Sequence, residues 1–193
     1  MTTTQQAEAL MERRPVGWWG ELCALIPELN PLADTPQPPE HHAEGDVAAH
    51  TRLAVEACPK GCDPDLLWIA LLHDIGKPAT TRKNEAGRIT AHGHARLSAE
   101  MAEVLLTRLD MPTTRRKRIV WAIRHHMFHH AWQLQDSARL TSRQRTYLAN
   151  PDFPLLLEFL LIDAAASHGS NDITPVYVFY RQLWIDVSGG QGQ

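Results

Sequence analysis

The sequence predicts an all-α fold. Apolar residues recur at three- and four-residue spacing in one segment after another, and no run alternates apolar and polar residues as a half-buried strand does. Helix signals stand where that periodicity starts and stops. Asp63 and Pro64 open the most apolar segment, and Gly76 with Pro78 closes it.

Taken in order, a first helix is expected over residues 5–13 and a second over 18–25. Residues 27–45 carry five prolines and read as a loop. Further helices are expected over 46–57, 64–75, 94–109, 113–129, 153–167 and 175–186. Residues 79–93, with Asn84, Gly87 and Gly93, read as a polar loop. Residues 131–150 are polar, carry Arg139, Arg143 and Arg145, and suit either a short helix or a flexible cover. Residues 173–180 have the β-branched and aromatic composition of a strand, which pulls against their helix assignment. The Gly/Gln-rich end is expected to be disordered. The chain therefore divides into an N-terminal helical extension (1–36), a main helical domain (37–187) and a tail (188–193).

At 193 residues the chain is long enough for one domain with a substantial core. A net charge of −3 excludes broad electrostatic attraction to nucleic acid. The run Arg115-Arg116-Lys117-Arg118 reads first as a solvated helix face. Cys23, Cys58 and Cys62 are odd in number and read as reduced thiols of a cytoplasmic protein. The N-terminus has no secretory signal pattern, and the longest apolar run, Leu66 to Leu72, is too short to span a bilayer. No membrane partner is expected.

Five helices each place a ligand-type residue on an apolar stripe. His50 shares a face with Leu53, Ala54 and Ala57. His73 and Asp74 end the most apolar helix, and His94 opens a helix whose stripe runs through Leu97, Met101 and Leu105. His126 aligns with Ile119, Ala122 and Ile123, whereas His125 points about 100° away. Asp163 lies among Leu156, Phe159, Leu160 and Ala166. Any one of these histidines alone reads as a hydrogen-bonded core residue. A buried carboxylate, however, needs an opposite charge, and so regular a set points to a bound cation. Imidazoles with carboxylates and no thiolates suit Mn, Fe, Co, Ni or Zn. Asp74 has two oxygens and is the natural bridge between two ions, with His94 and His126 on its far side.

The order His50, His73-Asp74, Asp163 resembles the H…HD…D signature of the HD-domain metal-dependent phosphohydrolase superfamily, over about residues 40–168. The strings Glu44-Gly45-Asp46-Val47-Ala48-Ala49-His50-Thr51, His73-Asp74-Ile75-Gly76-Lys77-Pro78, His92-Gly93-His94 and Arg124-His125-His126-Met127 are similar to the HD domain of bacterial CCA-adding tRNA nucleotidyltransferases. They also resemble the HD module fused to some polynucleotide kinases. The resemblance implies an all-α HD-domain bundle. It implies a first metal held by His50, His73, Asp74 and Asp163, and a second by His94 and His126, with His125 a further candidate.

It also implies a divalent-metal phosphohydrolase or phosphodiesterase acting on nucleotides or RNA ends, foremost a 2′,3′-cyclic phosphodiesterase with 2′-phosphomonoesterase activity. Two divalent transition-metal ions would provide hydroxide for attack on phosphorus, with Asp74 and Asp163 as catalytic residues orienting the nucleophile. Lys77 is expected to bind a phosphate oxygen, although a cation at a helix C-terminus explains it almost as well. Arg124 is a candidate substrate contact. His41, His42 and His92 fall in loops at the mouth, and His129, His130 and His168 read as surface or structural residues. The chain shows no nucleotidyltransferase domain and no G-x-x-x-x-G-K-[ST] loop, so a separate RNA-repair or tRNA-processing partner is expected. Two alternatives remain: a nucleotide pyrophosphohydrolase or 5′-nucleotidase, and a non-catalytic module that binds a nucleotide or RNA end and regulates a partner enzyme.

Overall fold

Helices dominate the computed structural model, which describes residues 1–39, 42–131, 139–167 and 172–189. The chain opens with α1 (Thr3–Arg13), set by a capping box between Thr2 and Gln5, then α2 (Trp18–Leu25) and a 3₁₀ segment (Pro27–Asp34). α3 (Val47–Ala57) starts where the Asp46 carboxylate accepts from the Ala49 amide at 2.8 Å. α4 (Pro64–Leu72) is capped by Asp63 and carries Pro64 in its first turn. A turn leads to α5 (Lys77–Thr80) and to a hairpin of β1 (Arg82–Lys83) and β2 (Ile89–Thr90). α6 (His94–Arg108), α7 (Thr113–His125), α8 (Phe128–Ala131), α9 (Ser142–Leu148), α10 (Phe153–Ala166) and α11 (Thr174–Gly189) complete the order.

α4 is the axis of the bundle. Every residue from Asp65 to Leu72 is buried, because α1, α3, α6, α7 and α10 pack around it. A helix apolar on all sides has no other stable place. Each fully buried side chain such as Trp68, Ile69 or Leu71 contributes about 1.5–3 kcal/mol of transfer free energy. The direction of α4 fixes its two polar ends, Asp65 at the start and His73-Asp74 just past the finish.

Several expectations are corrected in detail. α4 stops at Leu72 rather than 75, with the His73 amide donating back to Ile69, and Pro78 begins the next short helix instead of ending this one. Gly76 is needed there for space: a Cβ would lie 2.7 Å from the Ser98 amide nitrogen and 2.9 Å from the His94 carbonyl. The Ser98 hydroxyl accepts from the Gly76 amide at 2.9 Å, which ties the turn to the start of α6. Residues 174–180 belong to a helix, because Tyr180 and Leu183 are buried where α11 packs on α10, and packing overrides strand-like composition. The polar loop 79–93 holds the small hairpin, and α9 realises the short-helix option within 131–150. Ser188 and Gly189 close α11, whereas the rest of the expected tail lies outside the described residues.

Candidate metal centre

Five helices and one turn bring six of the expected side chains together. His50 comes from the first turn of α3, His73 and Asp74 follow α4, and His94 opens α6. His126 follows α7, and Asp163 lies near the end of α10. His50 Nε2 lies 3.2 Å from His73 Nε2 and 3.0 Å from Asp163 Oδ1. Asp74 Oδ2 faces this group, 3.2 Å from His73 Nε2 and 3.9 Å from His50 Nε2. Its other oxygen, Oδ1, faces a second group, 3.3 Å from His94 Nε2 and 4.0 Å from His126 Nε2. Those two ring nitrogens stand 3.1 Å apart.

The outer nitrogens explain why the inner ones converge. His73 Nδ1 donates to the Ala70 carbonyl at 3.0 Å, His94 Nδ1 to Ala91 at 2.7 Å and His126 Nδ1 to Ile123 at 2.8 Å. His50 Nδ1 pairs with Glu44 Oε1 at 3.0 Å. With each Nδ1 engaged in this way, the four Nε2 atoms point inward, the orientation a metal-ligating imidazole needs.

The donor set fits cations. Nitrogens at 3.1–3.2 Å present lone pair to lone pair unless a proton or an ion lies between them. Metal bonds of roughly 2.0–2.2 Å put neighbouring ligands about 3 Å apart, the spacing seen here. Asp74 Oδ1 is buried without any hydrogen-bond partner among the described residues, a costly condition unless something else satisfies it. Three groups of ligand atoms lie within reach of a shared ion: His50-His73-Asp74, Asp74-His94-His126, and His42-Glu44-His50.

Electrostatics follow from this crowding. Burial works against a charged Asp74, yet His73, Lys77 and His94 hold its carboxyl well below the usual carboxylate range. Burial likewise opposes charge on Asp163, and the His50 hydrogen bond with the nearby His73 outweighs it, so that pKa is depressed too. Burial also opposes charge on His50, but bonds to Asp163 and Glu44 prevail and raise its pKa to about 9. His126 is the reverse case: burial, then His73, pushes it down to about 3. His94 is lowered, chiefly by burial.

Lys77 Nζ sits 2.7 Å from Asp74 Oδ2 and donates to Gln37 Oε1 at 2.7 Å. His42 Nδ1 contacts Glu44 Oε1 at 2.7 Å, and His42 lines the same cavity. His125 stands apart from His50, His73, Asp74, His94 and His126. Its ring packs 5.0 Å from both Trp121 and Tyr147, outside the three donor groups, because a helix turns adjacent residues to different faces. Arg124 is exposed and is not among the residues lining the cavity. His41 and His168 lie outside the described residues.

Sequence reading missed Glu44, Gln37, His129 and His130. Glu44 and Gln37 come from the proline-rich loop, where no periodicity marks inward residues. His129 and His130 sit on α8, one turn past His126, and line the cavity rather than a plain surface. The helical spacing of His126, His129 and His130 was the available signal. The run Arg115 to Arg118 proves largely structural: Arg115 and Arg118 bind Asp65, and Arg116 binds Glu103.

A helical bundle with two histidine groups sharing one buried aspartate defines a class of metal-dependent phosphohydrolase. The sequence matches the HD domain family over residues 46–160, and the chain belongs to that family. It is 37% identical over 117 residues to the multifunctional CCA protein of Teredinibacter turnerae, covering 60% of this chain and 28% of that one. It is 35% identical over 156 residues to the A-adding tRNA nucleotidyltransferase of Deinococcus radiodurans, covering 79% and 34%. The multifunctional CCA protein of Aromatoleum aromaticum is 34% identical over 169 residues, covering 81% and 40%. The chain thus spans between 28% and 40% of the length of these relatives. Among the described residues no helix is long and apolar enough to cross a membrane.

Proposed function

We propose that the chain is a divalent-metal phosphohydrolase or phosphodiesterase acting on nucleotides or RNA ends, foremost on 2′,3′-cyclic phosphates and 2′-phosphomonoesters. The observation that carries this reading is Asp74, whose two oxygens each face a separate histidine group. His50, His73, Asp74 and Asp163 would hold one ion and Asp74, His94 and His126 a second, drawn from Mn, Ni, Co, Fe and Zn. When bound, such ions neutralise charge on phosphoryl oxygens and acidify water.

The remaining work falls to the chain. Glu44 and three backbone carbonyls hold the imidazoles in direction through their Nδ1 atoms, with Nε2 turned inward. Asp74 and Asp163 offer acceptor oxygens beside the reacting phosphorus and orient the nucleophile. Lys77, held by Gln37, presents an ammonium that can pass from Asp74 to a non-bridging phosphate oxygen. Arg124 can meet only a part of the substrate that extends beyond the cavity, as an RNA would. The tRNA named for the Deinococcus radiodurans relative supports an RNA terminus as substrate and a tRNA-processing enzyme as partner. Free thiols at Cys23, Cys58 and Cys62 support a cytosolic setting.

A hydrolysis screen tests this. Metal-free protein is supplied with Mn, Ni, Co or Mg and offered 2′,3′-cyclic nucleotides, 2′-, 3′- and 5′-nucleotides, dinucleotides and a generic phosphodiester. Release of 2′- or 3′-phosphate products from cyclic nucleotides, abolished by chelator, is the expected result. Turnover confined to 5′-nucleotides or pyrophosphate bonds would replace the substrate reading. Nucleotide binding without any turnover would leave a binding module.

A further inference from the structure

The residues of the centre make up only part of the lining of their cavity. About 650 Å³ opens over the centre, whereas a phosphoryl group needs only the room of a few waters at roughly 30 Å³ each. The additional space runs along α10. Leu160, Asp163, Ala164 and Ser167 share a face of that helix at three- and four-residue spacing, and all of them line the cavity. Beyond them the wall comes from α8 through His129 and His130 and from the start of α11 through Ile173 and Val176. The two α8 rings lie 3.9 Å apart between centroids at an interplanar angle of 41°.

The charges sort the same way. Lys77 is the one lysine or arginine lining the cavity among the described residues, and it stands at the centre, 2.7 Å from Asp74. Among the described residues the α8 and α11 side chains lining the cavity include neither type, so a second phosphate would find no lysine or arginine among them. Two tilted imidazoles and aliphatic side chains suit a flat, partly apolar ring, and the Asp172 carboxylate on the same lining offers an acceptor for a ring amino group.

We propose that His129, His130, Leu160, Ala164, Ile173 and Val176 form a nucleobase subsite, set one sugar away from the phosphate position. It deepens the proposed activity and rests on it for which end of the ligand enters first. The subsite selects nucleosides carrying a single phosphate group over pyrophosphate, polyphosphates and small sugar phosphates. In an RNA end it would take the terminal base.

Calorimetric titration of adenosine, which lacks phosphate, into the metal-free protein tests the subsite without using turnover. Saturable binding is expected in the wild-type chain and in Asp74→Asn. Val176→Trp, which fills the space, and His129→Ala, which removes one face, should each weaken it roughly tenfold, the scale of one lost stacking contact. Circular dichroism and a thermal melt establish that each variant is folded. No adenosine binding, binding that both variants leave unchanged, or binding no tighter than that of cyclohexanol would overturn the proposal. Adenosine binding as stated with no nucleotide hydrolysed would end the activity reading and keep the subsite. Nucleotide hydrolysis with adenosine indifferent to both variants would do the opposite.

Discussion

Two aspartates at opposite ends of α4 are equally buried, each 2% exposed, and have opposite fates. Asp65 meets guanidinium on both oxygens: Arg115 Nε at 2.6 Å on Oδ1 and Arg118 Nη1 at 3.0 Å on Oδ2. Those arginines are shared onward with Glu8, Asp63 and Asp152. Asp74 has Lys77 on one oxygen and, on the other, imidazole nitrogens whose protons are committed elsewhere. Its Oδ1 has no hydrogen-bond partner among the described residues. A carboxylate that the fold satisfies completely is a structural tie. One that the fold surrounds with imidazole nitrogens and leaves short of a partner has the surroundings of a cation site. Burial does not separate the two; the chemistry of the neighbours does.

The contrast is sharpest in activity. Asp74→Ala should remove phosphate release by roughly a thousandfold or more, since both donor groups lose their shared ligand. Residual wild-type turnover in that variant would remove the bridge from the account. Next comes the pair of adjacent histidines. His126→Ala should cost roughly a hundredfold in metal affinity at the second group, while His125→Ala changes it by less than about threefold. Competition with a chelating indicator dye reads both.

Asp65→Ala is the structural counterpart. It strips a buried anion from two partly exposed arginines that keep other partners, so the expected loss is about 2 kcal/mol, below that of a fully buried pair. Metal content and turnover should stay at wild-type level in the folded variant, as urea unfolding and elemental analysis would show. Loss of metal with Asp65 would erase the distinction drawn here.

The smallest effect is on pH dependence in chelator. His50 carries a folded pKa of about 9, above its ordinary 6.5, so its contribution is fully present below 6.5 and disappears as pH rises through 9. His126 is depressed to about 3 because burial keeps it neutral, so acid below 6.5 increasingly favours the unfolded chain down to that value. Melting temperature of the metal-free protein should therefore fall on both sides of neutrality. His126→Asn should make the acid limb shallower, with Asp74, Asp163 and His94 still contributing to it, and leave the alkaline limb unchanged.

Much of this was readable in the sequence because helical periodicity reports which way a side chain faces. His50, His94, His126 and Asp163 each stand on an apolar stripe, and His73-Asp74 ends a helix apolar all round; the structure brings all six together. Loops have no such period. Glu44 and Gln37 reach the centre from the segment between the 3₁₀ turn and α3, through contacts that local spacing does not encode. For His125 the resemblance and the helical spacing disagree, and its contact with Tyr147, 26 positions from Trp121, is visible only in three dimensions. Residues 173–180 resisted assignment because their composition favours a strand while α10 offers a surface for a helix.

The central claim is that one aspartate serves two ions through two oxygens, and counting ions tests it most directly. Elemental analysis of protein reconstituted with Mn and passed through a desalting column should find two equivalents per wild-type chain. His94→Ala should retain one, because His50, His73, Asp74 Oδ2 and Asp163 remain. A wild-type chain that holds one ion or none, or a His94→Ala chain that still holds two, would contradict the account.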